Sequence, residues 1–406
     1  MKVPAITSPA YRPLLLVALL LTGLFFSRAL LSLLVGLSVL LLLIPSVRKE
    51  FTAVFKKPLL FLVTGIPVFY LYLFFIDPDS YTLERLLFYL SIVGMLCLAH
   101  YMAATTELLL PFLLSLAVLS TLPTLADMLL NTGLAPLYGK GQVAYILMKG
   151  DHQRFSIWIS GCLGLSWYLF VLEKKKWASV FILFFSLFLI VLAVRTGWLF
   201  ILLVTLAGGL MYLRRKRSRR LWWSSLLAVL LLGGLAMSIP FVRNKIRYVQ
   251  WEWSERREAE KLGASDAVRR MVNETAWTLI TDHPAGLGSR KAEKRLKEEV
   301  DKAYPQSHIN YEWPFNQYLY WWLTAGWILG SLPIVLLLFL LYRLYFTRNY
   351  FTAVWVIFMA MTCIYESTLE MQYGLFLAVF FTVLMYLYES GLRMRGMVKN
   401  GSTPAT

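Results

Sequence analysis

The chain has 406 residues, 58% of them hydrophobic, with a mean hydropathy of +0.62 and a formal net charge of +17. Apolar runs recur along its whole length, which excludes a soluble globule built on one core. The runs are continuous over roughly 15–25 residues, which excludes the alternating strands of a membrane β-barrel. The fold class read from the sequence is all-α: a polytopic membrane protein with about 12 transmembrane helices and one large periplasmic helical loop.

In chain order the expected spans are 14–26, 29–45, 58–76, 86–104, 108–126, 155–172, 177–194, 197–213, 221–241, 317–341, 351–365 and 372–388. The first has signal-peptide length, but no small-residue cleavage site follows it, so it reads as a retained span. The division is a transmembrane bundle over 1–242 (about nine spans), a loop subdomain over 243–316, a second bundle over 317–391 (about three spans) and a cytoplasmic tail over 392–406. With the N-terminus inside, the inner side carries 20 of the 40 basic residues but only four of the 23 acidic ones. The net charge is thus largely a positive-inside signal and asks for no nucleic-acid partner. The RRKRSRR run at Arg214–Arg220 is read as a cytoplasmic anchor meeting anionic lipid.

The interval 243–316 is the one long polar stretch, with 14 Lys/Arg and 12 Asp/Glu. Two segments in it, 267–281 and 289–304, have helical patterning. A polar interval of this length between spans is usually functional or a small subdomain. Cys97, Cys162 and Cys363 all lie in apolar runs, and the four histidines form no HxxxH or HExxH pattern, so no metal site is expected.

The chemistry-bearing residues are few. Arg195 interrupts an apolar stretch long enough for two spans; an arginine there faces an aqueous cavity with an anionic partner, or snorkels from a turn. Thr196 and Gly197 beside it permit a tight turn. Arg269 and Arg270 lie on an amphipathic helix that stops at His283-Pro284, followed by AGLG, which by itself reads as a loop. Glu366 and Glu370 are spaced i, i+4 and share a face if their helix continues. They would then position a hydroxyl, accept its proton, or pair with the arginines.

Five segments in order resemble the O-antigen ligase and O-antigen polymerase family of bacterial inner-membrane glycosyltransferases. They are DHQRFS (151–156), VRTGW (194–198), RRMVNETAWTLITDHPAGLG (269–288), PFNQYLYWWLTAGWILG (314–330) and YESTLEMQYG (365–374). The resemblance implies transfer of a glycan from undecaprenyl diphosphate to a hydroxyl of lipid A-core or another glycan acceptor. That transfer takes place at the periplasmic face of the inner membrane, without cofactor, metal, nucleotide sugar or ATP. It implies Arg195 and Arg269, or its neighbour Arg270, as diphosphate ligands, with His152, Arg154 and Asn316 as further substrate-binding candidates; arginine's planar fork suits phosphate oxygens.

The family carries a histidine before that asparagine, the base for the acceptor hydroxyl, but here the position is Phe315. His308, Glu366 and Glu370, with Glu312 beside them, are the expected substitutes. A polymerase, a protein O-oligosaccharyltransferase, a catalytically altered scaffold and a polysaccharide transporter are the alternatives. The transporter is disfavoured because no internal repeat is evident and the unusual residues gather on one face.

Overall fold

The computed structural model describes residues 12–45, 48, 59–105, 108–130, 145–148, 151–216, 234, 240–261, 264–305 and 313–399, and every regular element among them is helical. In chain order α1 (Arg12–Phe26) and α2 (Arg28–Ser38) form a short hairpin, followed by α3 (Leu59–Ile76), α4 (Ser80–Thr105) and α5 (Leu109–Leu130). Next come α6 (His152–Val171), α7 (Ala178–Leu192) and α8 (Arg195–Lys216). The polar interval holds α9 (Pro240–Ser254), α10 (Arg256–Lys261), α11 (Ser265–Asp282) and α12 (Ser289–Ala303). The chain closes with α13 (Gln317–Gly330), α14 (Leu332–Phe346), α15 (Tyr350–Tyr365), a 3₁₀ turn at Thr368–Glu370 and α16 (Gln372–Lys399).

Helix is the outcome these runs dictate, because backbone polar groups with no water to meet must be satisfied within the segment. Among the described residues five helices are long and apolar enough to cross a membrane, six if the bent pair α13–α14 is one span, and five further apolar helices are shorter. That supports a multi-pass membrane protein with five or six spans by length, against the twelve expected. The expected span 221–241 lies almost wholly outside the described residues.

The bundle centre is aromatic. Trp158 on α6 packs against Phe381 on α16 at 5.6 Å between ring centroids, and Trp355 on α15 lies 5.1 Å from the same ring. Gly161 admits Phe381, since a Cβ there would stand 2.4 Å from the ring. The apolar windows of α6 and α16 are 89% and 78% buried and that of α8 only 28%, so α6 and α16 are central while α8 turns most of its surface outward.

The helix termini sort into two ends. At one, Gln372 opening α16 donates to the carbonyl of Arg28 opening α2 (3.1 Å). At the other, Glu389 on α16 accepts from the N–H groups of Phe351 and Thr352 (3.0 and 2.9 Å) at the start of α15. Tyr168 ties that second end to Glu173, beside the Lys174–Lys176 run.

The expected single span over 317–341 is broken. Gly326 inside α13 is non-helical (φ 78°), and α13 and α14 meet at 76° across Ser331. The kink at Gly326 frees the carbonyls of Leu323 and Thr324, and these accept from Leu287 N–H and Gly288 N–H, both at 2.9 Å. Trp327 N–H donates in return to Pro284 O at 3.0 Å. Gly286 (φ +86°) and Gly326 sit back to back, so a Cβ on Gly286 would lie 2.4 Å from Gly326 N. The AGLG segment is therefore no bare loop. It clasps the kink and docks the polar helices on the bundle.

Candidate active site

Arg195 is placed by a turn that the sequence reading put one step too late. Helix α7 ends at Ala193 in the left-handed conformation (φ 53°), and α8 starts with Arg195. Gly197 serves close approach instead: a Cβ there would meet Ser156 Oγ at 2.8 Å and Leu189 at 2.9 Å. The Arg195 side chain stands at the rim, 42% exposed, and its Nη1 lies 2.6 Å from Asp266 Oδ2.

Asp266 and Arg269 come from the first turns of α11, whose buried face is Val268, Met271, Val272, Ala276, Leu279 and Ile280. Arg269 Nη1 reaches the other oxygen of Asp266 at 3.2 Å, so one carboxylate bridges two guanidiniums from separate elements. Burial pushes the Asp266 carboxyl up, but Arg195 and Arg269 outweigh it and hold it below its ordinary range. Arg270 points elsewhere. It pairs with Glu260 at 2.6 Å, in a ladder with Arg256 and Glu274, so Arg269 is the member of the pair that joins Arg195.

A second cationic group adjoins the first. Asp151 caps α6, accepting from Arg154 N–H at 3.1 Å, and the buried Arg154 side chain lies 3.0 Å from Glu366 Oε1. Burial drives the Glu366 carboxyl above its ordinary range against the pull of Arg154 and Arg269. Its Oε2 is buried without a hydrogen-bond partner, as is Arg154 Nε. His152 opens the same helix, partly buried.

Phe315 lies beneath Arg269, whose Cζ is 5.5 Å from the ring centroid. The position read as a missing base thus stacks one of the two guanidiniums that meet at Asp266. Asn316 is the N-cap of α13: its Oδ1 accepts from Tyr318 N–H (2.9 Å) and Leu319 N–H (3.3 Å). Ser367 Oγ donates to Pro314 O at 2.5 Å and holds this segment against the Glu366 turn.

The expectation that Glu366 and Glu370 share a helix face is corrected. Helix α15 ends at Tyr365, Glu366 is extended (φ −162°), and the two carboxylates part. Glu370, its side chain wholly buried, accepts at Oε1 from Tyr70 OH, Tyr89 OH and Gln317 Nε2, each at 2.7 Å. Arg85 Nη1 lies 3.5 Å from Oε2. Arg85 also stands over the rings of Tyr81 (5.0 Å) and Trp313 (4.9 Å) and 3.8 Å from Glu293 of α12. Sequence reasoning missed both Arg85 and Asp266. Arg85, a lone arginine entering an apolar run, carried the same signal as Arg195; Asp266 carried none. His308 and Glu312 lie outside the described residues.

Behind this polar end, an apolar cavity of about 70 Å³ opens between α3, α13, α14, α15 and α16, lined by Ile66, Trp321, Leu336, Met359 and Cys363 among others. Leu369, next to Glu370, forms part of its wall. Among the described residues no three His, Cys, Asp or Glu side chains converge as a metal site would require.

Residues 178–334 match a protein family described as O-Antigen ligase. The matched stretch runs from the start of α7 into α14, and so contains Arg195, Asp266, Arg269, Phe315 and Asn316. No curated protein matches the chain.

Proposed function

From membership of the O-antigen ligase family, carried by residues 178–334, we propose that this protein moves a glycan from undecaprenyl diphosphate to a hydroxyl of lipid A-core at the periplasmic face of the inner membrane. The observation that supports the donor half is the convergence of Arg195 and Arg269 on one carboxylate, at 2.6 and 3.2 Å. Two guanidiniums fixed by different helices and able to hold an anion between them are what a departing diphosphate requires. The charge asymmetry of the two bundle ends supports the periplasmic assignment, since the Lys174–Lys176 end lies opposite the site.

In this reading the anomeric C–O bond to the carrier breaks, and the diphosphate leaves with the electron pair toward Arg195 and Arg269. The acceptor hydroxyl oxygen forms the new glycosidic bond, and its proton goes to Glu366. Phe315 cannot take that proton, whereas Glu366 has a buried oxygen without a partner and a raised proton affinity. Because the carrier diphosphate is itself the leaving group, the step needs neither ATP nor a nucleotide sugar. Arg154 stays beside Glu366 and keeps it ionised enough to act as a base. Glu370, held at Oε1 by Tyr70, Tyr89 and Gln317 and facing Arg85 at Oε2, is the structural partner of this arrangement.

The test is lipopolysaccharide from a deletion strain complemented with wild type, Arg195→Ala, Arg269→Ala and the corresponding lysine variants. Losing a charge-assisted pair to phosphate is worth roughly 2–5 kcal/mol, so polymer capping should vanish in the alanine variants while the protein stays inserted. Lysine should rescue poorly because it lacks the fork. Full capping by Arg195→Ala would remove the residue from the mechanism. A changed chain-length distribution with capping intact would assign the protein to polymerisation.

A further inference from the structure

We propose that Asp266 is a built-in counter-ion: it fills the anion site between Arg195 and Arg269 in the unliganded protein and must leave that site for a donor diphosphate to enter. The inference rests on the reading of those two arginines as the diphosphate ligands, and it adds a competitor that the protein supplies itself.

The geometry is that of a stand-in ligand. Asp266 gives one oxygen to each arginine, Oδ2 to Arg195 Nη1 at 2.6 Å and Oδ1 to Arg269 Nη1 at 3.2 Å. A guanidinium has five N–H donors, and one carboxylate spread over two of them leaves most of both forks unused. Arg269 Nε is buried with no acceptor, and the remaining contact of its Nη1 is a long 3.5 Å approach to Ser265 Oγ. A diphosphate, with more oxygens and more charge, engages those donors better than the carboxylate does.

What anchors Asp266 is its backbone, not its carboxylate. Its N–H donates to Glu252 Oε1 at 3.0 Å, while among the described residues the partners of its carboxylate are the two arginines. The side chain can therefore rotate away without giving up a cap or a buried donor. Glu252 makes departure favourable once a second anion arrives. It is 2% exposed, its Oε2 has no hydrogen-bond partner, and burial, with the Asp266 charge adding to it, holds its carboxyl above the ordinary range against the pull of the Asp266 N–H. Two arginines facing Asp266, Glu252 and a diphosphate together would be outnumbered by negative charge. An apo site whose positive charge is halved in this way also avoids two adjacent, unpaired guanidiniums, whose mutual repulsion would work against docking of α11 beside α8.

The alternative is that Asp266 stays in place and aims the arginines at the donor. The two differ in the sign of one measurement. In the full-length protein in lipid nanodiscs, binding of farnesyl diphosphate and of inorganic pyrophosphate is measured calorimetrically for wild type and for Asp266→Asn, which keeps the shape and removes the charge. Asp266→Ser is carried alongside as a second way to delete the carboxylate. The expected result is tighter binding of both probes in both variants, by about tenfold, with the gain abolished when Arg195→Gln is added. Equal or weaker binding in the Asp266 variants, with binding still lost in Arg195→Gln, would overturn the counter-ion and leave the donor site standing. Wild-type affinity in both Arg195→Gln and Arg269→Gln would remove the donor site itself, and the counter-ion with it. Failure of both Asp266 variants to fold would make the carboxylate a structural tie and would also overturn the proposal.

Discussion

Glu366 and Glu370 are four residues apart and chemically alike, yet the structure gives them opposite environments. Glu370 is enclosed by donors on one oxygen and by Arg85 near the other, and it joins α3, α4, α13 and the turn before α16 into one unit. Glu366 has a single cationic partner at 3.0 Å, an oxygen with no hydrogen bond and a raised proton affinity. Oε2 lacks a hydrogen bond in both residues, so the difference lies at Oε1: that of Glu370 ties three helices together. A carboxylate held by one cation at the mouth of a cationic site is available for chemistry.

The comparison is broken most directly by neutralising each acid in turn. Glu366→Gln should lower glycan transfer by about 10²–10⁴-fold, the usual contribution of one positioned proton acceptor, with a smaller loss of melting temperature than Glu370→Ala because the amide oxygen still accepts from Arg154 and Asp151 stays beside that guanidinium. The pH profile sharpens the assignment. A base must be ionised and the Glu366 carboxyl is raised, so turnover should climb with pH through a pKa above the ordinary carboxylate value and fall as the group protonates below it. A profile flat across that range would exclude Glu366 as the base.

For Glu370 the expected pattern is the reverse. Glu370→Ala leaves Tyr70, Tyr89, Gln317 and Arg85 facing an empty position, and removing one partner of a buried ion pair costs about 3–5 kcal/mol. Thermal unfolding in detergent should show that loss, while the protein that remains folded should retain its turnover. Loss of turnover at unchanged stability would exchange the roles of the two acids.

Smaller effects are expected where backbone and stacking support the site. At Gly326→Ala a Cβ would stand 2.5 Å from the backbone of Pro284 and Ala285, on a residue at φ 78°. The strain should cost about 1–3 kcal/mol and loosen the clasp that holds α11 near α8, which limited proteolysis of the 284–288 segment would report. The smallest change is expected at Phe315→His, which restores a titratable ring beneath Arg269. Capping should be retained or modestly raised; abolition would mean that the guanidinium needs the phenyl face more than the reaction needs a second base.

Much of the helical content was legible. The patterned segments 267–281 and 289–304 became α11 at Ser265–Asp282 and α12 at Ser289–Ala303, because 3.6-residue periodicity in a polar stretch reports a helix face directly. Arg195, with either Arg269 or Arg270, was also legible, the first from its cost in an apolar run and the others from the resemblance. Hydrophobic runs, by contrast, reported apolar length and not breaks. The stretch from Gln317 to Leu341 reads as one span, but it is kinked at Gly326, where the AGLG segment supplies backbone partners, and divided at Ser331.

The sequence by itself determined the all-helical class, the amphipathic helices of the polar interval and which arginines to suspect. Those properties follow from residue type and short-range spacing. Only the tertiary structure decided that Asp266 bridges Arg195 and Arg269, that Arg270 turns away to Glu260, that Arg85 and Glu370 meet, and that Gly286 and Gly326 clasp. The reason is physical. Whether a charged side chain becomes a ligand, a strut or a solvated bystander depends on what lies within about 4 Å of it, and here those neighbours come from helices far apart in the chain.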